Sequence, residues 1–423
     1  KIIMFQFRKV LILTQYFRPE LGAPQIRLWE FCKELKSQGI NVEVLTAMPN
    51  YPEGVVHESY KYKIYKKELI EGIPIRRTYI YPAAGRNSIL RLINYFSFTI
   101  TCFLPLIFSR KVDLVFVEAQ PIILAIPALI LKYIKNIPYI YNTPDLQIEY
   151  AEQAKWIKSK RLIRFAKIIE SFLMRNSLST TTVTHSFMRH FSKYRSVDIR
   201  KISFFPNGAD IDFLKPISRD IVLLKKFKLE KKIVFSYVGT HAPYQGLETI
   251  LHAAKLLNQR RDIAILMVGK GPERERLKKI AKNMNLENIF FHQSPYSEMD
   301  RLMSITYASI ITLRDLPIAR KMRLSKAVPP LSCGVPVLYS GYGETLDILL
   351  NHNAGISVKP ENPMDLANKI IYIADHPKKR KTMGQNARTL SLEHFSWKRI
   401  VKNWQKQISS IKNGEDPYVE GFI

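Results

Sequence analysis

Short apolar runs that alternate with helical segments constrain the fold of this chain more than any other sequence feature. The run VLILT at residues 10–14 precedes a loop and a helix over about residues 24–37, and the next apolar run covers residues 42–46. This order predicts a βαβ unit, whose strands are parallel and whose ligand site lies at their carboxyl ends.

The same pattern continues and divides the chain in two. Further strands are predicted at residues 75–79, 113–117, 138–142, 179–183 and 201–205. A second series is predicted at residues 233–238, 263–268, 289–292, 308–313, 335–339 and 355–358. Between the two series lie a breaker-rich turn, PNGAD, and a polar segment at residues 212–232. We therefore predict an α/β protein with two doubly wound, Rossmann-like domains that face each other across a cleft.

The predicted boundaries follow from this division. Residues 1–207 form the first domain, residues 208–395 form the second, and a C-terminal helix and tail at residues 396–423 pack back on the first domain. A length of 423 residues suits two domains of roughly 200 residues each.

The chain is strongly basic, with 65 Lys and Arg against 36 Asp and Glu and a formal net charge of +29. Nucleic acid, an anionic membrane surface and phosphate-bearing substrates are the partners that such a charge favours. The sequence shows no zinc-ligand spacing, helix-turn-helix or RNP motif, so we expect no nucleic-acid partner. Three scattered cysteines, Cys32, Cys102 and Cys333, suit a reducing cytosol and predict neither a disulfide framework nor a metal site.

One segment, LINYFSFTITCFLPLIF at residues 92–108, carries no charge. It is flanked by Arg86, Arg91, Arg110 and Lys111. A helix that spans a bilayer needs about 20 residues, so a monotopic helix is favoured over a core helix and over a true span. We expect a membrane-associating region at about residues 86–135.

Basic residues recur after this region, and at helical spacing they would present a cationic face to anionic lipid. They are Lys155, Lys158, Lys160, Arg161, Arg164, Lys167 and Arg175. An ordinary solvated face is the alternative.

A very basic loop follows the predicted strand at residues 308–313 and leads into a short helix, for which Ser325 is a candidate N-cap. A basic loop at the carboxyl end of a strand, ahead of a helix N-terminus, is typical of a phosphate site.

Several motifs, taken in order, carry a family resemblance over nearly the whole chain. They are LTQYFRPELGAPQIRLWEF, LTAMPNYPEG, PNGADIDFL, YVGTHAPYQGLETILHAAKLL, MVGKGPERERL, LRDLP and SKAVPPLSCGVPVL followed by GE. The chain resembles glycosyltransferase family 4 (group 1) of the GT-B fold, and most of all its branch that builds bacterial capsule, O-antigen and exopolysaccharide units on lipid carriers.

The resemblance implies transfer of a hexosyl or N-acetylhexosaminyl group from a nucleoside-diphosphate sugar to a polyprenyl-diphosphate-linked saccharide. It also implies retention at the anomeric carbon, no bound metal and no cofactor. The expected location is the cytoplasmic face of the bacterial plasma membrane, where the protein would be peripheral or monotopic on an anionic surface.

The family pattern also suggests site residues. Asp145 and Lys326 are the expected catalytic residues. The expected donor-binding residues are Gly239, Thr240, Gln245, Gly246, Arg320, Arg323, Ser325, Lys326 and Glu344, and the expected acceptor-binding residues are Gly22, Arg27 and Asn50. Basic side chains would neutralise the diphosphate in place of a divalent cation. Glu344 could equally be an acidic residue in a helix first turn, Gly22 a simple turn residue and Arg27 a surface arginine.

The chain departs from the family pattern at a few positions. Pro329 stands where the family usually has a Glu that contacts nucleotide or sugar, Thr240 and Gln245 replace an Arg and a Lys, and Glu118-Ala-Gln120 replaces a His. A proline side chain cannot form that hydrogen bond. A GT-B nucleotide-sugar 2-epimerase and a non-catalytic subunit of a polysaccharide assembly complex therefore remain open.

Overall fold

The computed structural model describes residues 7–20, 22–51, 54–83, 88–153, 157 and 159–417. Three residues from the predicted basic face and flank, Arg86, Lys155 and Lys158, lie outside this part of the chain. The chain forms two compact units: unit 1 comprises Lys1–Pro206 with Ile400–Phe422, and unit 2 comprises Asn207–Arg399.

The strands follow the apolar runs closely. Those of unit 1 are β1 (Lys9–Leu13), β2 (Asn41–Ala47), β3 (Tyr65–Ile70), β4 (Ile73–Thr78), β5 (Leu114–Glu118), β6 (Tyr139–Asn142), β7 (Ser179–Thr182) and β8 (Ile202–Phe204). Those of unit 2 are β9 (Ile233–Val238), β10 (Ile263–Val268), β11 (Ile289–His292), β12 (Ala308–Thr312), β13 (Val337–Ser340) and β14 (Gly355–Val358).

Helices connect the strands. The first eight are α1 (Ala23–Ser37), α2 (Ser88–Thr101), α3 (Phe103–Ile107), α4 (Ala125–Lys135), α5 (Gln147–Gln153), α6 (Lys160–Asn176), α7 (His185–Arg195) and α8 (Ile221–Phe227). The others are α9 (Glu248–Leu256), α10 (Arg274–Asn283), α11 (Met299–Ile305), α12 (Val328–Ser332), α13 (Glu344–Asn351), α14 (Pro363–Asp375), α15 (Pro377–His394) and α16 (Trp397–Asn413).

Each unit contains one sheet with a reversal of strand order at its centre. The order is β3-β4-β2-β1-β5-β6-β7-β8 in unit 1 and β11-β10-β9-β12-β13-β14 in unit 2. The chain builds outward from β1 in one direction, then returns to place β5 on the other side, and it does the same at β9 and β12. The loops after these central strands separate and leave the crevice in which α/β proteins bind ligands.

The apolar pattern does not predict β3, which is the one antiparallel strand in these two sheets as described. It joins β4 through Glu71 and Gly72, whose φ angles of 47° and 72° are those of a type I′ hairpin turn. The sequence of β3, YKKELI, contains no apolar run, because its alternate residues face solvent at a sheet edge.

The C-terminal helix α16 belongs to unit 1 from Ile400 onward. Trp404 is fully buried among Phe31, Phe116 and Phe205, with ring centroids 5.1–5.8 Å away. Three residues later, the Gln407 amide bonds both backbone polar groups of Phe204 in the edge strand β8. This helix therefore covers one edge of the sheet and completes its core.

Replacing Trp404 by Ala is expected to lower the free energy of unfolding of unit 1 by about 3–5 kcal/mol, because it leaves a large cavity among packed rings. Chemical denaturation followed by circular dichroism measures this loss. Lys402→Ala, at an exposed position on the same helix, is the matched control and should change stability by less than about 0.5 kcal/mol. Equal stability of the two variants would contradict the assignment of α16 to this core.

Candidate functional site

The reversal of strand order in unit 2 brings together the loops that carry most of the predicted donor-binding residues. The loop after β9 holds Gly239, Thr240, Gln245 and Gly246, and the loop after β12 runs from Leu313 to Ala327. Backbone bonds tie them, since Arg314 N donates to Tyr244 O at 3.0 Å. Thr312 Oγ1 also donates to Gln245 O at 2.6 Å.

Close backbone packing fixes the floor of this site. Gly239 has φ +154°, and a Cβ added to Gly269 in the next loop would overlap the carbonyl oxygen of Gly239. Only glycine allows the loops after β9 and β10 to approach in this way. The GKG motif at residues 269–271 is recognisable in the sequence, but its place at the site is not.

Lys326 crosses this floor. A Cβ added to Gly239 would overlap the aliphatic chain of Lys326, so the lysine stem lies directly on the glycine. When the Gln245 amide is oriented so that its nitrogen donates to Thr312 O, its oxygen accepts a hydrogen bond from Lys326 Nζ at 3.3 Å. Burial lowers the pKa of Lys326 to about 8.

No opposite charge within the described part of the chain offsets the effect of burial on the pKa of Lys326. Among the described residues, no carboxylate lies within ion-pair distance of Lys326 Nζ. A partly desolvated ammonium group beside one neutral amide is a site prepared for an anion.

Arg320 and Arg323 are placed differently from Lys326. Arg320 is exposed, forms a two-pronged ion pair with Asp315 at 2.9 Å and lies over the Tyr342 ring at 4.8 Å. Arg323 is buried, with its guanidinium 5.3 Å from the Phe395 ring centre. Burial lowers the pKa of Arg323 to about 10, and the charge of Glu344 opposes this shift.

Glu344 is the first residue of α13, and Ser325 begins a single 3₁₀ turn ahead of α12. The prediction that Ser325 caps a helix was wrong, because α12 begins at Val328 and its N-cap position is Ala327, with no side-chain cap. Pro329 and Pro330 therefore fall in the first turn, where a missing N–H is tolerated. Thr240 is exposed, and its carbonyl oxygen accepts a bond from Tyr237 Oη at 2.8 Å.

In unit 1 the strand reversal places Arg27 beside Glu118, and both side chains are buried. Arg27 Nη2 donates to the two carboxylate oxygens of Glu118 at 2.8 and 3.1 Å, and Asn142 Nδ2 donates to Glu118 at 2.6 Å. Burial raises the pKa of Glu118, while Arg27 and Asn142 oppose the rise. Arg27 is thus no surface residue, and its charge is already compensated.

Arg27 Nε and Nη1 and Asn142 Oδ1 are buried with no hydrogen-bond partner within the part of the chain that is described. They are polar atoms that a ligand or water can satisfy. In the sequence, Glu118 is distinguished only as a departure from the family pattern. A buried acid at a strand's carboxyl end is the signal that points to it.

A cavity of about 710 Å³ lies beside the loops after β1 and β2. Asn50 and Glu20 line it, and Glu20 accepts backbone bonds from Phe17, Asn50 and Tyr51 at 2.8–3.0 Å. Burial raises the pKa of Glu20 to about 7 against these bonds. Gly22 precedes α1 in extended conformation, as its N-cap.

Asp145 follows β6 and its side chain is exposed. Gln120, which follows the neighbouring strand β5, donates from Nε2 to Asp145 Oδ2 at 3.2 Å. The Gln147 amide donates to Ala119 O at 3.0 Å and joins the same two loops. The first bond contacts the Asp145 carboxylate, and the second joins the loops that carry it at the carboxyl edge of the sheet.

Two family models match most of the chain between them. The model described as "Glycosyltransferase Family 4" matches residues 25–213. The model described as "Glycosyl transferases group 1" matches residues 222–390. The first match falls almost wholly in unit 1 and the second lies in unit 2.

Relatives and solved structures agree with these matches. An uncharacterised glycosyltransferase of Methanocaldococcus jannaschii is 23% identical over 96% of this chain and 99% of its own. An Escherichia coli protein, provisionally named a colanic acid biosynthesis glycosyl transferase, is 26% identical over 70% of this chain and 74% of its own. The structure of Anabaena HepE with UDP and glucose has a TM-score of 0.71 at 16% identity and covers 95% of this chain and 100% of its own. The GT-B fold is confirmed by these matches.

Replacing Gly239 by Ala is expected to weaken nucleoside-diphosphate binding about 10-fold or more, because the new methyl group displaces the Lys326 stem and strains the backbone. Isothermal titration calorimetry with UDP and GDP measures the change. Gly39→Ala is the matched control, since Gly39 also has a positive φ but nothing within 4 Å of an added Cβ. Equal affinity of both variants would show that this floor does not touch the ligand.

Proposed function

The chain belongs to the group 1 glycosyl transferases of glycosyltransferase family 4, and from this premise we propose its substrates and chemistry. The donor is a nucleoside-diphosphate sugar bound in unit 2. The acceptor is a saccharide linked to polyprenyl diphosphate, and the reaction extends a bacterial surface polysaccharide. The observation that carries the proposal is Lys326, a desolvated lysine lying on Gly239 where the strand order reverses.

The chemistry requires stabilisation of a leaving diphosphate. The bond between the anomeric carbon and the β-phosphate oxygen breaks, and the electron pair stays on that oxygen. The acceptor hydroxyl oxygen bonds to the anomeric carbon and gives up its proton, which the departing phosphate can accept. Positive charge already fixed beside the phosphate lowers this barrier, because it needs no reorganisation during the reaction.

The residues divide this work. Lys326 faces the diphosphate, the loop of Gly239, Thr240, Gln245 and Gly246 supplies close backbone approach, and Glu344 accepts a sugar or ribose hydroxyl. We assign metal independence to the reaction because a lysine replaces a divalent cation in this scheme. We assign retention because the departing phosphate accepts the proton of the acceptor hydroxyl, which keeps the acceptor on the face that the phosphate leaves. The structure of Anabaena HepE contains UDP and glucose, which makes UDP-sugars the first donors to test.

In unit 1 we assign Asp145 to contact with the reacting sugars and Gln120 to its orientation. The buried pair of Arg27 and Glu118 supports these loops, and the unsatisfied Arg27 nitrogens are available to an acceptor phosphate or hydroxyl. Gly22 and Asn50 border the same region of the sheet. This assignment makes Arg27 a positioning residue as well as a ligand contact.

An exposed apolar stripe supports a lipid-linked acceptor. The segment Ile89–Ile107 is long and apolar enough to cross a membrane, and 28% of it is buried in the protein. Its exposed large apolar residues recur along one face: Ile89, Leu92, Ile93, Phe96, Ile100, Leu104 and, just beyond, Phe108. Asn94, Phe98, Cys102 and Leu106 face the protein interior. A helix with one face in the protein and the other in lipid lies in the membrane surface, which would place the protein at the cytoplasmic face of the plasma membrane.

The pH dependence of donor binding is the first test. In the ligand-free protein Lys326 loses its proton as the pH rises through about 8, whereas a bound diphosphate favours the charged form. Nucleoside-diphosphate affinity should therefore fall between pH 7 and pH 9, and binding near pH 8.5 should take up a proton. Calorimetry in buffers of different ionisation enthalpy measures that uptake. Lys326→Met should abolish it, and uptake that persists in this variant would exclude Lys326.

The second test is transfer itself. UDP-, GDP- and dTDP-sugars are assayed with a polyprenyl-diphosphate-linked saccharide, and NMR of the product gives its anomeric configuration. One donor should give a product with the donor's configuration, and Lys326→Met should lower kcat by about 100-fold or more. Pro329→Glu restores the Glu that the family usually has at this position. If only this variant transfers sugar, the natural chain is a binding subunit. If the wild-type protein bound none of the UDP-, GDP- and dTDP-sugars, the proposal would be overturned.

A further inference from the structure

Helix α6 has two apolar faces. Ile163, Leu173 and Met174 are buried against unit 1. On the other side, Leu162, Phe165, Ile168 and Phe172 are exposed, at 50, 60, 58 and 47%. A helix that only packs on a core has one apolar face, so the second face needs a partner of its own.

Cations border this second face. Lys160, Arg161, Arg164 and Arg175 are exposed along α6. The one acidic residue of the helix, Glu170, is buried and accepts a bond from Arg195 Nε at 2.5 Å. The exposed side of α6 therefore combines aromatic and aliphatic groups with positive charge, and the helix presents no exposed acidic side chain of its own. Lys167 of α6 pairs with Glu152 of the neighbouring helix α5 at 2.7 Å.

Helix α4 connects this face to the apolar stripe on α2 and α3. Lys132 Nζ and Tyr133 Oη of α4 donate to Asn176 at the end of α6, at 2.8 and 3.0 Å. Lys135 of α4 bonds the carbonyl oxygen of Ile107 at the end of α3. Tyr133 and Ile134 are themselves 67 and 62% exposed. The ends of α3, α4 and α6 thus meet, and their exposed apolar groups adjoin.

We propose that α6 is a second membrane-docking helix, which inserts Leu162, Phe165, Ile168 and Phe172 between anionic phospholipids while its arginines bind their headgroups. This rests on the proposed membrane location and deepens it: the apolar stripe belongs to α2 and α3, and α6 carries most of the cations that the sequence predicts to face anionic lipid. α6 carries four exposed cations, whereas α2 and α3 together carry only Arg91. α6 therefore supplies the preference for anionic lipid. The charge-free stripe of α2 and α3 supplies affinity that does not depend on lipid charge.

A second copy of the chain is a poorer occupant of this face. Two copies joined through α6 would bring Arg161, Arg164 and Arg175 of each close to the same cations of the other, and like charges across an interface oppose association. An anionic bilayer offers both the apolar interior and the complementary charge.

The test is co-sedimentation of the full chain with vesicles of phosphatidylcholine alone or with about one-third phosphatidylglycerol. Replacing Arg161 and Arg164 together by Gln should lower partitioning about 10- to 30-fold on the anionic vesicles and leave neutral vesicles unaffected. Added salt should weaken wild-type binding only on the anionic vesicles. Replacing Phe165 and Ile168 by Ser should lower binding about 10-fold or more to both.

Matched controls lie on unit 2, on exposed helices with no such stripe. Lys279→Gln with Lys282→Gln on α10 removes two charges, and Ile221→Ser with Val222→Ser on α8 removes two exposed apolar groups. Both should bind like wild type, and all variants should keep the wild-type melting temperature. Undiminished binding by both α6 variants would overturn the inference, as would a wild-type dimer that only these variants dissociate.

The outcome separates this inference from the proposed function. The α6 variants are also assayed for sugar transfer to a short-chain, water-soluble diphosphate acceptor. If transfer continues and their vesicle binding is unchanged, only the role of α6 is refuted. Loss of transfer to every acceptor in the wild type refutes the proposed function whatever the vesicles show.

Discussion

The close packing of two glycine loops in unit 2 is the constraint on which the donor site depends. Gly239 and Gly269 bring the loops after β9 and β10 together backbone to backbone. This leaves a flat floor with no side chain at the point where the strand order reverses. The lysine that follows β12 in the chain can then lie across the floor, and its amine loses part of its hydration without gaining a carboxylate. Because the Lys326 ammonium group is partly desolvated and has no counter-ion among the described residues, an anion that binds beside it is stabilised.

Charge alone would not identify this position. The loop that contains Lys326 also contains Arg320 and Arg323, but Asp315 compensates the first and burial beside Phe395 withdraws the second from solvent. In unit 1 Arg27 shows both features, since its Nη2 pairs with Glu118 while Nε and Nη1 have no hydrogen-bond partner among the described residues. What separates a ligand-binding cation from a structural one is its partners, and partners are set by tertiary contacts.

This explains how far the sequence could lead. Apolar runs located most strands to within one or two residues, because a buried parallel strand is usually apolar on both faces. The exception is β7, which is buried and parallel although its sequence is STTT. The edge strand β3 escaped, since half of it faces solvent. The glycine motifs and Lys326 were recognisable from local pattern and resemblance. The pairing of Arg27 with Glu118, and of Gln120 with Asp145, joins residues 91 and 25 positions apart, and no local pattern encodes such pairs. The exposed apolar face of α6 was also hidden, because composition shows its cations but not which aliphatic groups point away from the core.

The measurement that tests the central claim most directly is a crystal structure of the protein soaked with its nucleoside-diphosphate sugar. The account predicts ordered density for the diphosphate over Gly239, with a β-phosphate oxygen within about 3 Å of Lys326 Nζ. Density for the diphosphate elsewhere, with Lys326 still bonded only to Gln245, would contradict it.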